Sequence, residues 1–108
     1  GKYIRLPLES IGAANALAGC GPAFMSMVIE ALGDAGVKHG LTRQQAYELA
    51  AGVMEGTAKL QQETGLHPGA MKDQVCSPGG VTIRGVAALE EAGMRNAFFK
   101  AVDATFLK

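Results

Sequence analysis

Residues 77–82, Ser-Pro-Gly-Gly-Val-Thr, combine two hydroxyl side chains with two glycines in one short segment. The apolar pattern after it predicts a helix ending at Gly93, and the backbone N–H groups that open a helix lack intrahelical partners and can bind an anion. The glycines leave room for a ligand to approach the backbone. The first turn carries Arg84 and no acidic residue to offset the helix dipole. The segment is therefore a candidate site for a small carboxylate or phosphate, with Ser77 and Thr82 as additional donors.

The same segment is also typical of an ordinary turn, because Pro-Gly-Gly is a common turn sequence. A second glycine-rich segment, Gly19-Cys20-Gly21-Pro22, resembles part of a dinucleotide-binding loop. It lacks the full G-x-G-x-x-G pattern and no strand precedes it, so we interpret it as a tight turn between two helices. His39 and His67 have no second ligand at a suitable spacing, and no metal site is expected.

Apolar periodicity and capping signals predict an all-α domain of about six helices, without a convincing strand. The first eight residues are expected to be extended, because Pro7 favours an extended residue before it and is unsuited to a central strand. Gly40 and Gly65 are expected helix ends, and Thr42 with Gln45 predicts a capping box. The predicted helices cover approximately residues 9–18, 22–40, 42–65, 67–76, 83–93 and 94–108.

The long helix that starts at Pro22 has one narrow polar stripe, formed by Ser26, Glu30, Asp34 and Lys38. Nearly all of its other residues are apolar or small, which is the reverse of a surface helix in a monomer. Two helices of about 20 residues would each span ~30 Å, comparable to the diameter of the whole domain. A single chain of this size cannot cover them. We therefore expect an intertwined, domain-swapped homodimer in which each chain completes the core of the other.

The composition of the 108 residues excludes several classes of partner. Ten basic and ten acidic residues give a net charge of zero, so neither nucleic acid nor a membrane surface is expected to bind. No apolar run approaches the ~20 residues that span a bilayer, and no signal peptide is apparent. Cys20 and Cys76 are interpreted as reduced thiols in a cytoplasmic protein.

Several blocks of the sequence resemble the C-terminal domain of the pyrroline-5-carboxylate reductase family. Residues 72–83, Lys-Asp-Gln-Val-Cys-Ser-Pro-Gly-Gly-Val-Thr-Ile, resemble the family signature D-x-V-x-S-P-G-G-x-T-I. Residues 18–24, Ala-Gly-Cys-Gly-Pro-Ala-Phe, resemble its S-G-S-G-P-A-Y element with two hydroxyls and the Tyr replaced. The resemblance extends over nearly the whole chain from about Ala13. Further matching blocks are Glu30-Ala31-Leu32, Asp34-Ala35-Gly36-Val37, Gly40-Leu41, Glu63-Thr64-Gly65, His67-Pro68 and Ala88-Leu89-Glu90-Glu91 with Gly93 and Arg95.

The resemblance implies an oxidoreductase that reduces 1-pyrroline-5-carboxylate to proline with NADPH or NADH. In that family an N-terminal Rossmann domain holds the cofactor, and the C-terminal helical domain forms an interlocked dimer that often assembles into decamers. Residues 1–8 would then be a linker from a missing Rossmann domain, and residues 9–108 the dimerisation and substrate-binding domain. The isolated chain is accordingly expected to be inactive.

The resemblance also implies roles for individual residues. The loop that matches residues 77–82 binds the substrate carboxylate through hydroxyls and backbone N–H groups, and Thr82 is the expected catalytic residue beside the ring nitrogen. The expected substrate-binding residues are Val75, Ser77, Gly79, Gly80, Val81 and Thr82.

Two alternatives stay open from the sequence. One is a helical oligomerisation module without catalysis, in a reductase-like paralogue. The other is a different two-domain dehydrogenase that acts on another small anion. Only Ser77, Gly80 and Thr82 distinguish the reductase from the non-catalytic module.

Overall fold

The computed structural model of the protein describes residues 4–106, and within that range it contains five helices and no strand. The prediction of an all-α domain is confirmed. The ends of the expected linker and of the last helix, residues 1–3 and 107–108, lie outside the described residues. The helices are α1 (Leu8–Lys38), α2 (Arg43–Thr64), α3 (Pro68–Gln74), α4 (Val81–Glu91) and α5 (Met94–Ala104).

Helix α1 is one continuous helical run, and for this reason five helices replace the six predicted. Its successive segments are a 3-10 turn (Leu8–Ser10), an α-helix (Ile11–Asn15), a π-helical turn (Ala16–Cys20) and an α-helix (Gly21–Lys38). The prediction that a helix ends at Gly19-Cys20-Gly21 is wrong, because Cys20 and Gly21 have right-handed helical backbone angles. Pro22 has no N–H, and its ring crowds the carbonyl one turn earlier. The wider π turn accommodates both effects.

The connection between α1 and α2 follows the predicted signals. Gly40 adopts a φ of 106°, which favours glycine. The backbone N–H of Gln45 donates to Thr42 Oγ1 over 3.1 Å, and the backbone N–H of Thr42 donates to Gln45 Oε1 over 3.1 Å. This reciprocal pair is the predicted capping box. At the other end of α2, Gly65 has the left-handed conformation of a helix C-terminus.

The α1–α2 hairpin is the main packed unit of the described chain, and it is built on small residues. Gly33 of α1 is buried against the ring of Tyr47. Arg43 Nη1 donates to Asp34 Oδ1 over 2.8 Å and to the Tyr47 hydroxyl over 3.0 Å. The hydrogen bond to Asp34, followed by the one to Tyr47, raises the pKa of Arg43 above its ordinary value. Because this polar cluster is exposed, packing at Gly33 contributes more to the hairpin than the ion pair does.

Substituting Gly33 by alanine is expected to destabilise the protein, because the added methyl group would overlap Cδ1 and Cε1 of the Tyr47 ring. Overpacking of this kind costs about 1–3 kcal/mol, more than the roughly 0.5–1 kcal/mol gained by removing a helical glycine. Urea denaturation of Gly33→Ala measures the net change. In a Tyr47→Ala background the same substitution should become neutral or stabilising. An equal loss in both backgrounds would contradict the proposed contact.

The described chain leaves most of its apolar residues uncovered. Its buried apolar residues are Ala16, Ala46 and Ala50. The accessible surface is 8679 Å², whereas a folded monomer of this mass exposes about 5,700 Å². The radius of gyration is 15.9 Å, compared with about 13 Å for a compact domain of this length. The expectation that a single chain cannot cover its long helices agrees with these values.

Helix α1 also bears on the expectation about membranes. It has 31 residues, and the mean hydropathy of its most apolar 18-residue window is 1.4. By length and composition it could therefore cross a bilayer, and the expectation that no apolar run approaches that length is corrected. The same composition occurs in a core helix of a soluble oligomer, so this single helix is weak support for a membrane span.

The candidate anion-binding loop

The loop 77–82 joins α3 to α4 and begins with a tight turn. The backbone N–H of Gly80 donates to the carbonyl oxygen of Ser77 over 3.0 Å. Pro78 follows Ser77, and Gly79 has a φ of 68°. This hydrogen bond, with proline second and a left-handed glycine third, is the pattern of a type II turn. The interpretation of this segment as a turn is thus confirmed for its backbone. Its possible function depends on which side chains and N–H groups the turn leaves open to a ligand.

The turn leads directly into the start of α4. Gly80 is the N-cap residue with an extended backbone, and α4 begins at Val81. No side chain caps this end, and the first turn contains no acidic residue. The N–H groups of a first helical turn have no intrahelical acceptor and lie at the positive end of the dipole. Thr82 is exposed in this turn, so its hydroxyl and the N–H groups are open to a ligand.

Ser77 is brought against the same helix start by the absence of a side chain at Gly80. A Cβ atom placed on Gly80 would lie 2.5 Å from Ser77 Oγ and 3.2 Å from the Ser77 carbonyl oxygen. Only glycine therefore allows the Ser77 hydroxyl to approach the backbone at this point. The structure thus collects Ser77, Gly79, Gly80, Val81 and Thr82 around one helix N-terminus.

Val75, the remaining predicted site residue, belongs to a different feature of the surface. It is the C-cap residue of α3, and 65% of its surface is exposed. It lines an apolar groove of about 680 Å³ between α2 and α3, together with Val53, Leu60 and Met71. Sequence reasoning did not identify this groove. The spacing of Pro68, Met71 and Val75 along one face of α3 was the available signal.

Two ion pairs lie near the loop. Lys72 Nζ lies 2.9 Å from Asp73 Oδ1, and Arg95 Nε lies 2.9 Å from Glu90 Oε1. The hydrogen bond to Asp73, and then its charge, raise the pKa of Lys72 above its ordinary value, although the nearby Arg95 opposes this. Lys72 and Asp73 thus form an ion pair with each other just before the loop.

One residue and one segment considered from the sequence, His67 and residues 19–21, have structural roles. His67 Nδ1 accepts a hydrogen bond of 2.9 Å from the backbone N–H of Gly69, so His67 caps α3 as a helix-entry residue. The glycine-rich segment 19–21 lies in the helical conformation of α1 and forms no phosphate-binding turn.

The loop is one open side of a binding site. Ser77, Pro78, Gly79, Val81 and Thr82 are all exposed, and Gly80 is half-buried. An anion held there would remain in contact with water on its far side. Enclosing a ligand at this loop therefore requires atoms beyond the residues that the structure describes.

Comparison with known proteins identifies the family to which the chain is related. Residues 9–108 match the family model described as pyrroline-5-carboxylate reductase dimerisation. Pyrroline-5-carboxylate reductase of Treponema pallidum is 60% identical over 91 residues, which are 84% of this chain and 35% of that protein. The Methanosarcina acetivorans reductase is 48% identical over 102 residues, covering 94% of this chain and 38% of that protein. The chain thus spans little more than a third of the length of these relatives.

Solved structures with the same fold carry the same name. The reductase of Streptococcus pyogenes superposes with a TM-score of 0.91 at 33% identity, over 97% of this chain and 40% of that one. The Plasmodium falciparum enzyme, solved with NADP bound, gives a TM-score of 0.88 at 33% identity, over 96% of this chain and 40% of that one. With a family model that matches residues 9–108, the chain belongs to the pyrroline-5-carboxylate reductase dimerisation family.

Proposed function

We propose that the chain supplies the substrate-carboxylate loop and the dimer interface of a pyrroline-5-carboxylate reductase. The reaction is the reduction of 1-pyrroline-5-carboxylate to L-proline with NADPH or NADH, in proline biosynthesis. One observation carries the proposal: the segment 77–82, which resembles the family signature, is also the segment that presents an uncapped helix N-terminus with two hydroxyl residues.

The chemistry of the loop is suited to holding the substrate in a fixed orientation. In the proposed complex the substrate carboxylate accepts hydrogen bonds from the first N–H groups of α4 and from the Ser77 and Thr82 hydroxyls. Gly79, Gly80 and Val81 contribute backbone groups to the site. The two glycines have no side chain and Val81 is exposed, so none of the three blocks the approach of the substrate to the loop. Fixing the carboxylate fixes the ring, which is the proximity contribution to the rate.

Thr82 has a second proposed role beside the ring nitrogen. Reduction of the imine carbon leaves the nitrogen needing a proton, and a hydroxyl in hydrogen-bonding distance can orient or relay it. Val75 is proposed to contact the apolar part of the ring from the α3 side.

The nicotinamide cofactor is proposed to bind outside this chain. Among the described residues no strand precedes a glycine-rich loop, and the glycines at 19 and 21 lie within α1, so these residues do not fit a dinucleotide. We therefore assign residues 1–8 to a linker from a cofactor domain and residues 9–108 to the helical domain. The two free cysteines, Cys20 and Cys76, are consistent with the cytoplasmic location that we propose for the enzyme.

The proposed partner is a second copy of the chain, in an intertwined dimer. Helices α4 and α5 contact each other but make few contacts with the α1–α2 hairpin of their own chain. The hairpin in turn leaves its apolar groove open. If each chain placed its α4–α5 pair on the other chain, both surfaces would be covered, and the carboxylate loop would be carried to the partner's cofactor domain.

A chimeric enzyme tests the proposed function. The chain would replace the matched segment of the Treponema pallidum relative, and consumption of NADPH or NADH would be followed at 340 nm. We expect oxidation of the cofactor that depends on 1-pyrroline-5-carboxylate, and no oxidation by the isolated chain. A folded, dimeric chimera without this activity would instead support a non-catalytic oligomerisation module.

In the same chimera, Ser77→Ala is expected to raise KM for the imino acid about 10-fold, equivalent to the loss of one hydrogen bond to a charged group. The turnover number should change less, because the lost contact is made to the substrate and the transition state alike. Steady-state kinetics over a range of imino acid concentrations measures both constants. A KM unchanged within twofold would remove Ser77 from the carboxylate site.

A further inference from the structure

Helix α2 contains a glycine whose presence nothing in its own chain explains. Gly56 lies in the interior of α2, where a glycine costs about 0.5–1 kcal/mol relative to alanine. A Cβ atom at Gly56 would meet no other atom within 4 Å, and its backbone φ is not in the left-handed region. Neither a tight turn nor a close contact within the described residues therefore requires glycine at this position.

The residues that share the face of Gly56 are apolar and uncovered. Leu49, Val53 and Leu60 lie seven and three residues before Gly56 and four residues after it, so they occupy one side of the helix. Their exposed fractions are 59%, 61% and 47%. Val53 lines both the groove of about 680 Å³ and a second one of about 220 Å³, which also reaches Leu49. The two grooves share Leu32 and Val53, and together we call them the apolar trough. Gly56 lies beside this trough, on the side of α2 that carries Leu49, Val53 and Leu60.

The surface of the chain indicates what covers this trough. Two copies together expose about 6,000 Å² more than two folded monomers of this mass, and obligate dimer interfaces bury roughly 2,000 to more than 5,000 Å² in total. A second copy would therefore cover most of this excess, and the trough is an apolar groove open to it.

Helix α4 has a matching face. Gly85, like Gly52 and Gly56, is an interior helical glycine with open space at its Cβ position, and Val81 and Leu89 lie four residues on either side of it. These two side chains are 76% and 52% exposed. A glycine flanked by apolar residues on each helix allows two helices to approach more closely than side chains with a Cβ permit.

We propose that the Gly56 face of α2 is the point of closest approach between two copies, and that it receives the Gly85 face of α4 from the second copy. The inference rests on the proposed dimer and adds the location of its tightest contact. Because α4 begins at Val81, this contact would also seat the helix that carries Thr82, so that dimerisation positions the carboxylate loop.

The test is whether a glycine-to-alanine substitution stabilises or destabilises the dimer of the full-length protein. At a free helical position Gly56→Ala should stabilise the protein. At a close contact it should instead raise the Kd of the dimer at least about 10-fold and lower Tm at a fixed protomer concentration. Sedimentation velocity over a dilution series and thermal unfolding measure the two quantities. Gly85→Ala is expected to have the same effects.

Ala51→Gly is the matched control, because Ala51 is exposed on the opposite, polar side of α2. This substitution should lower Tm through helix propensity alone. The size of the decrease in Tm gives the contribution of helix propensity at a position in α2 outside the proposed contact. A higher Tm and an unchanged or lower Kd for Gly56→Ala would overturn the inference while leaving the dimer intact. The same outcome for Gly85→Ala alone would overturn the assignment of α4. A monomeric wild-type protein would instead overturn the proposed dimer.

Discussion

Replacing Thr82 by alanine is expected to lower the turnover number of the full-length enzyme by about 100-fold, the lower end of the range for a lost proton-transfer or orienting group. Thr82 is exposed in the first turn of α4, next to the N–H groups proposed to hold the carboxylate. Its hydroxyl is the group we place beside the ring nitrogen, where charge changes during reduction. KM should rise only a few-fold, because Ser77 and the backbone donors remain.

Misfolding is not expected to explain a loss of turnover in Thr82→Ala. Thr82 makes no side-chain hydrogen bond within the described chain that caps α4, and alanine has the higher helix propensity. The fold and the melting temperature should therefore be retained. Thr82→Ser keeps the hydroxyl and should recover most of the activity. Equal turnover in wild type, Thr82→Ala and Thr82→Ser would show that the hydroxyl takes no part in the reaction.

The helix ends were predictable because each depends on short-range chemistry. Thr42 and Gln45 form the capping box that their spacing indicates, and Gly65 takes the left-handed conformation of a helix end. The loop was predictable for the same reason, since a proline followed by two glycines strongly restricts the turn before α4. In these cases the residues that determine the backbone are within five positions of each other.

The continuity of α1 was not predictable from the same signals. Two glycines and a proline within four residues ordinarily end a helix, and here the chain absorbs them in a π turn, Ala16–Cys20. The continuity of α1 depends on what the helix packs against over its whole length, and a local sequence pattern does not contain this information. The position of Val75 in the groove between α2 and α3 was missed for a related reason. It depends on how two separate helices lie side by side.

The exposed apolar surface of the single chain, by contrast, was predictable from the sequence pattern of its long helix. The long helix that contains Ser26, Glu30 and Asp34 has too little polar surface for a monomer, and the structure leaves most of it uncovered. The faces that we propose to be in contact could be chosen only from the coordinates. Gly56 in particular is unremarkable in the sequence, and only the empty space around its Cβ position distinguishes it from Gly33.

Placing a charge in the apolar trough is expected to abolish the dimer. Val53 lines both grooves, and its side chain is 61% exposed in the single chain. Val53→Glu should therefore be tolerated by a lone chain but not by a dimer in which the trough is covered, since an unpaired buried charge costs several kcal/mol per site. Two sites are affected in each dimer, so we expect dissociation at micromolar concentration, measured by sedimentation velocity.

A matched substitution separates burial from charge. Ala51→Glu adds the same carboxylate to the same helix, two residues earlier and on its exposed polar side. It should leave the dimer and the reductase activity unchanged, whereas Val53→Glu should lose both, because in our proposal two chains are needed to complete the active site. A Val53→Glu protein that stays dimeric at nanomolar concentration would show that the trough faces solvent in the assembly. The excess surface of the single chain would then have to be covered through α4 and α5 alone.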